Sequence, residues 1–105
     1  TAFVAQANSA DNDATIIQDG LRNDAQATQE LSTDGSSFIA QDGEDNIADT
    51  DQTGNDNVAI VTQGAELLGG TSAATRNTAL VLQDGNRNLG NINQGSAVGA
   101  AATLL

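Results

Sequence analysis

The stretch Asn12-Asp13-Ala14-Thr15-Ile16-Ile17-Gln18-Asp19-Gly20-Leu21-Arg22-Asn23 reads as N-x-A-x-I-x-Q-x-G-x-x-N, and its register returns along nearly the whole chain. From Asn77 the same positions hold Ala79, Val81, Gln83, Gly85 and Asn88. From Asn46 they hold Ala48, Thr50, Gln52, Gly54 and Asn57, and the unit ending at Asn46 carries Ser37, Ile39, Gln41 and Gly43. Asn57 opens Ala59, Val61 and Gln63 before the pattern departs. Weaker copies are Asn23, Ala25, Ala27, Gln29 and Asn88, Gly90, Ile92, Gln94, with Ala2, Val4 and Gln6 at chain entry. The glutamines Gln6, Gln18, Gln29, Gln41, Gln52 and Gln63 are spaced by 12, 11, 12, 11 and 11 residues; Gln83 follows 20 later and Gln94 another 11 later.

A fixed period of this kind is the signature of a repeat fold. Alternation within each unit predicts a short strand. The Gly-x-x-Asn step predicts a tight turn at Gly20, Gly43, Gly54 and Gly85, because Gly and Asn tolerate positive φ and Asn can bond nearby backbone. Eleven residues cannot bury a face alone, so the rungs must stack. The expected architecture is all-β: a single β-solenoid domain over residues 1–105, with two strands per rung and two facing parallel sheets. Eight half-units give four rungs, a rise of roughly 19 Å at ~4.8 Å per strand.

Alternation also assigns the faces. With Ile16 inward, Ala14, Gln18 and Gly20 follow, and Thr15, Ile17 and Asp19 face out. The interior then holds columns of Ala, of Ile or Val, of Gln and of Asn. A buried amide is costly unless paired, and in-register stacking pairs it, as in cross-β amide ladders. The expected ladder residues are Gln6, Gln18, Asn23, Gln29, Gln41, Asn46, Gln52, Asn57, Gln63, Asn77, Gln83, Asn88 and Gln94.

Composition agrees. The aromatic residues are Phe3 and Phe38, and the chain has no Pro, Cys, Met, Trp, Tyr or His. So few large apolar side chains leave disorder or hydrogen-bonded stacking as the choices. A flexible linker has no need of Ile and Gln locked in one register. The formal charge of −11, with Arg22, Arg76 and Arg87 as the cations, repels phosphate backbones and anionic membranes. It keeps a self-associating chain soluble. No apolar run is long enough for a transmembrane segment. No signal peptide is visible at the N-terminus; a mature secreted chain would have lost it, so this does not argue against export. Without His, Cys or Lys, the commonest general bases and nucleophiles are missing, so no catalytic residues are expected.

Two segments depart from the pattern. An inserted loop near 65–76, which adds about nine residues, is expected to leave the solenoid at a turn. Glu30 to Gly35 lacks the motif glycine, has Leu31 in its place, and predicts a variant turn. The tail Gly99–Leu105 continues the 11-residue phase with Leu105 at the Gln position, as a degenerate ninth strand or a frayed end.

The pattern Ala-x-Ile-x-Gln-x-Gly-x-x-Asn-x-Ala resembles the curlin repeat of curli fibres, over about Ala2 to Gln94. The resemblance implies a functional-amyloid subunit that needs no cofactor and is secreted unfolded. It implies nucleation at the cell surface by a nucleating subunit, after passage through a secretion apparatus. The subunit then stacks head to tail with itself in a biofilm matrix, where it serves adhesion and surface attachment. It carries ladder roles onto Gln18, Asn23, Gln29, Gln41, Asn46, Gln52, Asn57, Gln63, Gln83, Asn88 and Gln94. The expected location is extracellular. The alternative is a monomeric secreted β-solenoid binding calcium through Asp- and Asn-rich turns, or binding another ligand. The nine-residue calcium-roll repeat is absent, and the period here is 11.

Overall fold

The computed structural model describes residues 1–64, 74–95 and 98–105. It is a β-solenoid of about four turns with no helix among those residues. Its strands are β1 (Ala2–Ala7), β2 (Asp13–Leu21), β3 (Asp24–Glu30), β4 (Ser36–Glu44), β5 (Ile47–Thr53), β6 (Val58–Gln63), β7 (Ala74–Thr75), β8 (Thr78–Asp84), β9 (Leu89–Gln94) and β10 (Ala101–Leu104). One parallel sheet runs β1-β3-β5-β8-β10, and the other runs β2-β4-β6-β9 with β7 against the end of β4.

Pairing follows the motif residue for residue. Gln6 stands opposite Gln29, Gln29 opposite Gln52 and Gln52 opposite Gln83. In the second sheet Gln18, Gln41, Gln63 and Gln94 are aligned. A slip of one residue would turn every Ile and Gln outward, so the apolar alternation pins this register.

The core is uneven between the sheets. The Ile column of the second sheet holds Ile16, Ile39, Val61 and Ile92. The matching column of the first holds Val4, Ala27, Thr50, Val81 and Leu104. Where Thr50 brings a hydroxyl into the interior, Ser37 replaces an Ala on the other sheet and meets it at 2.6 Å. Gly90 stands in the Ala column for a related reason. A Cβ there would lie 2.9 Å from Val81 Cγ1 and 3.0 Å from Leu104 Cδ2.

The motif glycines have left-handed backbone, with φ of 96° at Gly20, 115° at Gly43, 100° at Gly54 and 110° at Gly85. The second left-handed residue of each turn is not the expected asparagine. It is the residue before it, Arg22, Asp45, Asp56 or Arg87, with φ between 56° and 60°. The asparagine instead ties the turn with its side chain. The variant turn is present: Leu31 (φ 49°) and Asp34 (φ 56°) repeat the geometry of Asn8 and Asp11 one rung earlier.

The expected loop near 65–76 is corrected at its C-terminal side. Ala74 and Thr75 pair with Gly43 and Glu44, and Arg76 lies in the turn, so the chain is back in phase before Asn77. The remainder of that loop, 65–73, lies outside the described residues. The tail is a ninth full strand position, β10, but its phase differs by one residue from expectation. Leu104 pairs with Val81 in the apolar column, which sets Leu105 beside Leu82 rather than in line with Gln83. Leu104 packs against the core, and burial of this large apolar side chain outweighs the 11-residue count.

Candidate functional site: the amide ladders and the open sheet edges

The ladder glutamines donate through their amide N–H groups, and Gln29, Gln41, Gln52 and Gln63 use both of theirs. One is donated along the stack: Gln6 to Gln29, Gln29 to Gln52, Gln52 to Gln83, and Gln18 to Gln41, Gln41 to Gln63, Gln63 to Gln94, all at 2.8–2.9 Å. The other crosses the rung to the carbonyl of the first residue of a strand in the facing sheet. Gln29 reaches Asp13, Gln41 reaches Asp24, Gln52 reaches Ser36 and Gln63 reaches Ile47, at 2.9–3.1 Å. Gln83 and Gln94 make the same crossing to Val58 and Thr78 at 3.1 Å. Gln29, Gln41, Gln52 and Gln63 are fully buried. A carboxamide suits this position because it carries two donors and an acceptor without charge. An ionised carboxylate there would have no donor to offer and a large desolvation cost.

The asparagines form columns, though not of side chain upon side chain. Asn23 Oδ1 accepts from the backbone N–H of Asn46, Asn46 Oδ1 from Asn77, and Asn77 Oδ1 from Ala100. On the opposite edge Asn57 Oδ1 accepts from the N–H of Asn88. The Nδ2 groups of Asn23, Asn46, Asn57 and Asn88 donate to the carbonyl four residues earlier, closing each turn.

Further polar residues belong to these columns. Asn12 Oδ1 accepts from Gly35 N, and Asn12 Nδ2 donates to Ser32 Oγ. Asn55 and Asn86 form a short ladder at the turn surface, accepting from Thr33 N and Asn55 N. The repeated Gly-Asn-x-Asn at Gly54–Asn57 and Gly85–Asn88 is the signal that marks them in the sequence. The Ser37–Thr50 pair has no such signal, since neither residue follows the motif.

The two turn edges differ in charge. One stacks Arg22, Asp45 and Arg76; the other stacks Asp11, Asp34 and Asp56 before Arg87. Arg22 makes two hydrogen bonds to Asp45, at 2.5 and 2.9 Å, and lies 3.6 Å from Glu44. The hydrogen bond from Arg22 holds the Asp45 carboxyl below the usual carboxylate range, helped by the positive charges of Arg22 and Arg76. Asp49 on the outer face of β5 moves the other way, raised first by burial and then by the charge of Asp51. One oxygen of Asp49 is buried without a hydrogen-bond partner among the described residues, as is one of Asp42. Ala40, Asp42 and Thr62 are buried although their positions in the strands face outward.

At each end of the described stack, β1 and β2 on one side and β9 and β10 on the other, the strands are paired along one edge only. At the first end, Phe3 and Val4 of β1 are 57% and 45% exposed. At the other, a notch lies between the end of β10 and the turn below it, lined by Gln83, Asp84, Asn88, Leu89, Leu104 and Leu105. The ladders stop there with groups that repeat elsewhere in the stack: Gln6 Oε1 and Gln18 Oε1 at one end, and one N–H each of Gln83 and Gln94 at the other. Among the described residues no three acidic side chains converge as a metal ion requires. Among the same described residues no helix is long and apolar enough to cross a membrane. Neither a family model nor a curated protein matches this chain.

Proposed function

We propose that this chain is the structural subunit of an extracellular fibre of the curli kind, built by stacking copies of the solenoid end on end for matrix formation, adhesion and surface attachment. The observation that carries the reading is the in-register parallel stacking of equal motif positions, with amide ladders that run through every rung and can be continued by a further copy of the same motif. An exposed sheet edge carries unpaired N–H and C=O groups and is a template for another strand. A monomeric solenoid needs a polar cap to block it, and a head-to-tail contact that does not close yields a filament. Here the edge offers the motif as well as the backbone: an amide acceptor at one end and amide donors at the other. The repeat pattern resembling curlin supports the same reading and supplies the expectation of a nucleating subunit and a secretion apparatus.

The experiment is to incubate the purified chain at neutral pH and examine it by electron microscopy and fibre diffraction. Unbranched filaments with a ~4.8 Å repeat along the axis are the expected result; monomers that persist across a range of salt would refute it. Charge opposes assembly, because Asp19 stacks on Asp42 and Asp11, Asp34 and Asp56 stack along one edge. Two such charges ~4.8 Å apart repel by about 0.9 kcal/mol in water, less with salt. Filament growth followed by light scattering is therefore expected to accelerate with ionic strength and at lower pH. A rate that falls as salt rises contradicts this.

A further inference from the structure

The amide ladders do not tell one rung from another, because each ladder glutamine offers its neighbours the same carboxamide. Two further core columns are nearly as uniform. The first sheet stacks Ala2, Ala25, Ala48, Ala79 and Ala102. The second stacks Ile16, Ile39, Val61 and Ile92. A chain built of these columns alone would accept any half-unit at any rung, its own or that of another copy. Exchange of equivalent elements between copies is the hazard of such repetition.

Of the strand columns packed in the core, two vary, and they meet across the interior. Ser37 on β4 and Thr50 on β5 join their hydroxyls at 2.6 Å, with 2% and 0% of their surfaces exposed. The strand register carries this facing couple through the stack. Ala14 and Ala27 precede it, Ala59 and Val81 follow it, and Gly90 and Leu104 come next. No two couples are alike. Ser37 and Thr50 match by hydrogen bonding. Gly90 matches by size, since a Cβ there would lie 2.9 Å from Val81 Cγ1 and 3.0 Å from Leu104 Cδ2. Thr50 facing Ala14 or Ala59 would enclose a hydroxyl without a partner, and so would Ser37 facing Ala27 or Val81. Leu104 facing anything larger than Gly90 would overpack the core.

We infer that these facing couples are a rung address, which fixes the half-units that can share a rung, and that Ser37 with Thr50 is its most selective member. The address lies inside one copy and holds whether or not copies stack. A buried polar group that sets register at some cost in stability is the best-attested use of such groups.

Thr50 and Val81 test it, because they occupy the same motif position in neighbouring rungs and differ by a hydroxyl for a methyl. The exchange T50V/V81T keeps composition, motif and volume. It sets Ser37 Oγ against a methyl group and a new hydroxyl against Ala59. Guanidinium titration of the unassembled chain is expected to show the folding equilibrium constant reduced about a hundredfold, roughly tenfold for each unpaired hydroxyl. Moving the partner as well, S37A/T50V/A59S/V81T, rebuilds the couple one rung further on. It is expected to recover to within about threefold of the unmodified chain. S37A and T50V alone are each expected to lose about tenfold, and S37A/T50V to regain it, because both hydroxyls are then gone. A T50V/V81T chain as stable as the unmodified one, or a fourfold variant no more stable than T50V/V81T, overturns the address. If T50V/V81T does not fold, circular dichroism of the fourfold variant decides: strand content equal to that of the unmodified chain supports the address, and its loss overturns it.

Discussion

Gly54 and Gly85 occupy equivalent turns in adjacent rungs, with φ of 100° and 110°, but their surroundings differ. A Cβ on Gly54 would lie 2.0 Å from the carbonyl oxygen of Gly85, whereas one on Gly85 meets only Asn88 Nδ2, at 3.6 Å. The local conformation is the same, and the difference is the presence of a rung beyond. Gln52 and Gln6 make the same contrast for the ladder: the first is enclosed by a glutamine on each side, the second by one. Interior positions of this fold are constrained twice, by their own backbone and by their copies, and end positions once.

Substitutions at these pairs measure that second constraint. Gly54→Ala combines a positive-φ strain with a backbone clash that no rotamer relieves, and is expected to cost about 3–5 kcal/mol. Gly85→Ala carries the conformational strain alone, about 1–2 kcal/mol. Guanidinium unfolding midpoints of the unassembled chain compare the two directly; equal losses would mean that stacking does not distinguish the turns. Gln52→Leu comes next. It leaves a donor of Gln29, the acceptor of Gln83 and the Ser36 carbonyl without partners, at about 2–4 kcal/mol. Gln6→Leu at the edge is expected to cost less than about 1 kcal/mol in the monomer and to impair filament growth instead.

Smaller effects sharpen the comparison through charge. The folded pKa of Asp49 is raised, so the folded state binds more protons than the unfolded chain between the two values, and stability falls as pH rises through that window. Asp49→Asn is therefore expected to raise the melting temperature at neutral pH, with the gain vanishing once pH drops below the usual carboxylate range. A gain that persists in acid would point to a cause other than ionisation. Asp45 has the opposite sign. Its lowered pKa contributes stability that is present above the ordinary carboxylate pKa and is lost as pH falls through the lowered one. This pair is exposed, so Arg22→Gln is expected to shift the melting temperature least, and only above that range.

Much of this fold is legible in the chain because its interior is a repeat. The Gln18, Gln41 and Gln63 register, the inward Ile column and the positive-φ glycines follow from period and alternation, since parallel in-register stacking places equal positions above one another. What the repeat does not encode was less visible. Arg22 and Asp45 adopt left-handed backbone because of their place in the turn, not their residue type. Nothing in the 11-residue phase marks Ser37 and Thr50 as partners, because their contact crosses between sheets.

The sequence by itself determined the strand period, the inward face and the identity of the ladder residues, all of which are local or translational properties. Tertiary structure alone decided which N–H of each amide crosses the rung, how Gly90 makes room for Leu104, and where the tail falls in register. These depend on how two sheets meet across ~10 Å of interior, a distance over which side-chain volume and hydrogen-bond geometry act and a one-dimensional repeat carries no information.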